Sequence, residues 1–190
     1  MKKLMKKNMV ASMLMIATLA SYGNEGKEKA SITTMTFENV KDGSTLTIKD
    51  NNGMILYKEM IELNGTYSKG FDLTALPDGN YYFEMDKEVT ISIVPFKVVS
   101  NQVLFEKENK QVINKPVVVN KDNIVSVSKL SLDNQPLEVA IYYGDDLVKS
   151  EKLEGDLSLQ RRYDFSTSLK GEYKIITKAD GKSFVNYVKI

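Results

Sequence analysis

The chain has 190 residues with 26 basic and 25 acidic side chains, and neither histidine nor cysteine. Those two absences remove the usual zinc, copper, haem and iron–sulfur ligands, and with them Ser-His-Asp and Cys-His catalysis and any disulfide staple. A near-balanced charge also argues against nucleic acid as a partner, which wants a clustered basic face.

Lys2, Lys3, Lys6 and Lys7 precede an apolar run from Met9 to Ala20. A basic start, a short greasy core and small residues after it describe a signal peptide over residues 1–23, with cleavage after Ala20 or Gly23. The run is short for a bilayer span, and no later stretch is long enough for one. Removing residues 1–23 takes away four of the 26 basic residues and no acid, leaving 22 against 25 and a net charge of −3. The remaining chain is exported, to the periplasm or the cell exterior.

Gly23 to Ser31 reads as a polar leader. Strands are expected over residues 32–37, 44–49, 54–61 and 66–73, with Asp50-Asn51-Asn52-Gly53 as a hairpin turn between the second and third. Phe71 to Met85 then runs strand, corner, strand. Pro77 presets the φ wanted in a turn, and Asp78-Gly79 supplies the positive φ that turns the chain. After the corner, Tyr81, Phe83 and Met85 fall on one face and Tyr82, Glu84 and Asp86 on the other. A tyrosine two residues beyond such a glycine has the placement of a tyrosine corner, its ring inward and its hydroxyl on nearby backbone. Residues 89–99 are β-prone but contain Pro95, which predicts an edge or a break because proline cannot donate to a ladder. Ser100-Asn101 turns the chain into 102–105. Residues 112–119 read as the end of a first domain and an extended connector, with the boundary near Asn120 to Asn123.

The plan then repeats at a spacing of 92. Glu59 meets Glu151, Phe71 meets Tyr163, Asp72 meets Asp164, and Tyr173 follows Gly171 as Tyr81 follows Gly79. A period of this size fits tandem domains rather than a solenoid. Ala179 to Lys182 is a hairpin turn into a final strand over 183–190, and no long segment shows helical periodicity. The expectation is all-β: two tandem immunoglobulin-like or fibronectin-like antiparallel sandwiches, at 32–119 and 124–190, behind the signal peptide.

The segments Leu46 to Gly53 and Phe71 to Tyr81 resemble the Por-type C-terminal sorting domains of secreted Bacteroidetes proteins. That resemblance implies a small immunoglobulin-like sandwich and export, with a sorting role as one functional expectation.

Candidate sites are few. Asp50 to Gly53 offers oxygen ligands but lacks the spaced acids of a calcium loop, and a hairpin turn explains it. Glu84, Asp86 and Glu88 line one strand face; a solvated face gives no pocket to raise the pKa of a general acid. Ser126-x-x-Lys129 lies in β-prone sequence with its ends on opposite faces. Tyr82 and Tyr142 point away from the core, where aromatics stack on sugars or anchor proteins. The leading expectation is a non-catalytic binding module for an unknown protein or polysaccharide, without a cofactor or metal. A sorting-like domain and a carboxylate-only hydrolase are the alternatives.

Overall fold

A computed structural model describes residues 32–190; the signal-peptide assignment and the polar leader lie outside the described residues. Among them there are fifteen strands and two single-turn 3-10 helices. The described residues divide into two compact units, 32–87 with 93–110, and 88–92 with 111–190. Each is an antiparallel β-sandwich.

In the first unit, β1 (Ile32–Val40) pairs with β4 (Gly65–Asp72) as one sheet. The other sheet runs β3 (Ile55–Ile61), β2 (Ser44–Asp50), β5 (Gly79–Asp86), β6 (Thr90–Val99) and β7 (Gln102–Phe105). Met35 and Phe37 from the small sheet meet Leu46, Ile48, Phe83, Met85, Phe96 and Val98 from the large one in a single core. Alternation with period two puts these side chains on the inner faces. Phe83 is fully buried, with its ring 5.2 Å from Phe96, 5.3 Å from Phe71 and 6.5 Å from Phe37.

The second unit contains β8 (Gln111–Asn114) and two sheets of its own. One has β10 (Ile124–Leu130) between β9 (Val117–Lys121) and β13 (Ser158–Asp164). The other runs β12 (Asp146–Leu153), β11 (Leu137–Tyr143), β14 (Glu172–Ala179) and β15 (Lys182–Lys189). Val125, Val127, Val139, Ile141, Leu159, Tyr173 and Ile175 close its core.

Two local expectations are corrected. Residues 117–119 are not a connector: Asp122 and Asn123 both take left-handed φ, 53° and 61°, and turn β9 tightly back onto β10. That two-residue turn matches the twist of a hairpin and suits Asp and Asn. Pro95 does not break β6 either. β7 pairs with Phe96 to Val99, just beyond the proline, and the proline carbonyl accepts the Glu106 N–H at 3.1 Å, so no missing donor is needed there.

Candidate functional site

The corner in each unit explains the repeated motif. The Tyr81 ring is buried and its hydroxyl donates to the Pro77 carbonyl at 2.8 Å. Tyr173 does the same to Leu169 at 3.0 Å. The Asp two residues before a hydroxyl is a local cap: Asp72 accepts the Thr74 hydroxyl at 2.6 Å, and Asp164 accepts the Ser166 N–H at 2.8 Å. Asp78 accepts the Ser100 N–H at 2.9 Å, holding the β6–β7 turn.

The glycines act differently from the expectation. Neither Asp78 nor Gly79 has positive φ. Gly79 is needed for room instead, since a Cβ there would lie 3.3 Å from the Tyr81 hydroxyl. Gly171 has φ 150°, and its Cβ would meet the Tyr143 ring at 2.9 Å.

The acids of β5 also depart from expectation. Glu84 is buried rather than solvated, and forms an ion pair with Lys49 at 2.8 Å. β5 lies inside its sheet, between β2 and β6, so Glu84 has a strand on each side; the neighbouring Thr47 hydroxyl donates to the Glu84 carbonyl at 3.4 Å. The Asp50 turn is satisfied from within: its carboxylate accepts the N–H groups of Asn52 and Met54 at 2.9 and 2.8 Å. Among the described residues no three Asp or Glu converge as metal ligands.

A second repeated device spans the two sheets of each unit. Glu59 on β3 accepts from Lys69 and Tyr67 on β4, each at 2.7 Å, and from Tyr57 on its own strand. Lys69 first, then Tyr57, holds the Glu59 carboxyl down to about 2. Burial and then the Glu59 hydrogen bond push the Tyr57 and Tyr67 phenols up, and the Glu59 hydrogen bond raises Lys69. In the second unit Arg161 on β13 pairs with Glu151 on β12 at 3.2 Å. Burial, then Glu151, pushes the Tyr163 phenol up.

The second unit holds a cleft of about 460 Å³ lined by Gln111, Asn114, Lys129, Leu132, Asp133 and Asp180 among others. Lys129 continues the inward alternation of Val125 and Val127, and its side chain is only 2% exposed. Its ammonium lies 3.0 Å from the Asp180 carboxylate, an ion pair without full hydrogen-bond geometry, and 3.3 Å from the Leu130 carbonyl.

The predicted binding aromatics lie on outer sheet faces, both half-buried rather than fully exposed. Tyr82 stands opposite Lys49 across β5 and β2. Tyr142 stands opposite Lys174 across β11 and β14, and the Lys174 ammonium lies 5.0 Å over the Tyr142 ring. The two units thus carry the same aromatic–cation pair with the strands exchanged. In the first unit the cation is spent on Glu84. In the second it is not, and the row extends: Leu147 on β12, Tyr142, Lys174, then Tyr187 on β15. The next row is Ala140, Ile176 and Val185. Leu147 is 55% exposed, Val185 51% and Tyr187 62%. The sequence reading found Tyr142 and missed Lys174 and Tyr187. Alternation back from buried Val188 was the available signal, since it turns Val185 and Tyr187 outward.

Sheet order, core and tyrosine corners define the class: two tandem immunoglobulin-like β-sandwich units. No protein-family model matches the sequence, and no curated protein matches it. Among solved structures, the chain is similar to the tetra-tandem repeat in the extending region of a large adhesion protein (15% identity, TM-score 0.27, covering 93% of this chain and 48% of that one). It is also similar to the human OSCAR ligand-binding domain (8% identity, TM-score 0.25, 85% and 90% covered). The chain spans about half the length of the adhesion-protein structure. The fold assignment stands on strand order and core, not on these similarities.

Proposed function

We propose that the chain is an exported, non-catalytic binding module that engages its partner through the outer face of the four-stranded sheet of the second unit. The observation that carries this is the row Leu147–Tyr142–Lys174–Tyr187, flanked by Ile176 and Val185. Amphipathic rings beside exposed aliphatic side chains on a flat sheet supply contact area at low entropic cost. The non-catalytic part is supported by the acids. The carboxyl groups of Glu59, Glu106 and Asp164 are displaced downward, which suits a fixed anion and not a proton donor at neutral pH. Export is supported by the pattern of residues 1–23.

The test is a glycan array, with a pull-down against purified surface proteins, comparing the mature protein with Tyr142→Ala, Tyr187→Ala and, in the first unit, Tyr82→Ala. Loss of binding in the first two with retention in the third supports the reading; binding unchanged in all three removes it. The motif from Phe71 to Tyr81, with its weaker copy beginning at Tyr163, favours a second reading, an export-targeting role. Removing residues 111–190 and measuring protein in the culture medium tests it, and unchanged export excludes it for that unit.

A further inference from the structure

Most lysines on this face stand across from an acid on the neighbouring strand, and the one at the centre of the row does not. Lys178 stands opposite Glu138, Lys189 opposite Glu172, and Lys152 bonds Glu154 at 2.9 Å. Lys49, Lys69, Lys97, Lys129 and Arg161 all have carboxylate partners elsewhere. Lys174 has tyrosines on both sides in the row and, among the described residues, no carboxylate at ion-pair distance. An ammonium held on a ring face is kept in place while its charge remains available.

Resting on the reading of this face as the binding surface, we propose that its occupant is an acidic polysaccharide, a chain of sugars bearing carboxylates such as uronates. A neutral occupant would strip water from Lys174 and return no counter-charge. A carboxylate returns a charge-assisted hydrogen bond. The apolar faces of sugar rings suit Tyr142 and Tyr187, which lie two strands apart, about 10 Å across the sheet. Tyr142 is on an inner strand and Tyr187 on the margin strand β15, so the row runs across the strands, whereas an extended peptide added to a sheet edge runs along one. Nucleic acid would call for a cluster of cations where this row has one.

The experiment is calorimetric titration of the full mature chain with three probes: oligogalacturonate, the neutral cellohexaose, and poly-glutamate as an acidic peptide. Oligogalacturonate is expected to bind, more weakly as salt rises. Lys174→Gln and Tyr187→Ala are each expected to weaken it roughly tenfold, and Lys58→Gln, an exposed lysine of the first unit, to leave it unchanged. Cellohexaose bound as well as oligogalacturonate, with Lys174→Gln harmless, overturns the acidic chemistry while leaving the face standing. Poly-glutamate bound as tightly, or oligogalacturonate binding that neither variant changes, overturns the polysaccharide assignment. If none of the three binds, the proposal fails, and the array and pull-down judge the face independently.

Discussion

The buried pair at the cleft lends itself to a double-mutant cycle. Asp180 sits at the β14–β15 turn with φ 50°, a conformation asparagine also tolerates, so Asp180→Asn changes charge without changing backbone preference. The variant leaves the Lys129 ammonium, 2% exposed, with neutral acceptors only, the new side-chain amide and the Leu130 carbonyl at 3.3 Å. Removing one partner of a buried pair leaves an uncompensated charge and costs about 3–5 kcal/mol; the residual carbonyl places this case near the lower end, about 3 kcal/mol. Lys129→Met is expected to cost less, about 1 kcal/mol, because the Asp180 side chain is 13% exposed and can turn to water. The double variant exchanges an ion pair for an apolar stem and a neutral amide and is expected within about 1 kcal/mol of the parent. Because two units need not unfold together, the readout is hydrogen exchange of β10 and β14 amides in the intact chain. A loss below about 1 kcal/mol for Asp180→Asn, or no recovery in the double variant, refutes the reasoning.

Two further outcomes follow from the sites described. The Glu59 carboxyl titrates at about 2 when folded, below its usual 4.5, so its contribution is present above the unfolded value and is lost as pH falls from there toward 2. With a side chain 30% exposed, solvent screening limits this to about 1 kcal/mol, and Glu59→Gln should flatten that part of the curve of urea midpoint against pH; an identical curve refutes it. Gly171→Ala puts a methyl 2.9 Å from the Tyr143 ring at φ 150°, expected to cost about 1–3 kcal/mol by calorimetry, with partial recovery when Tyr143→Ala is added.

The large plan was legible because it is written in period-two alternation and in turn residues. Asp50 to Gly53, Ser100-Asn101 and Asp180-Gly181 all turn where expected, and the repeat spacing of 92 placed Glu151 and Asp164 on Glu59 and Asp72. What escaped depended on neighbours distant in sequence. Asp122-Asn123 reads as a polar boundary until β9 is seen lying on β10. Gly79 looks like a source of positive φ until the Tyr81 ring occupies the space above it. Glu84 alternates outward, yet burial depends on what flanks β5, which no local pattern states. Tyr142 was found by strand parity alone; its partners Lys174 and Tyr187 come from strands 32 and 45 positions later.

The Glu59 and Glu151 clamps have a consequence for how the molecules behave toward one another. β3 and β12 are sheet margins, and β3 shows Ile55, Leu56 and Met60 to water, with Met54 exposed just before it. Bare, greasy margins are templates for fibril-like stacking of one chain on the next. Opposite Leu46 and Val139, however, each margin turns a carboxylate toward the core side, already tied to a cation from the other sheet. An incoming strand would have to entomb that carboxylate or pry it loose, so the same residues that close each sandwich also keep crowded copies of the protein apart.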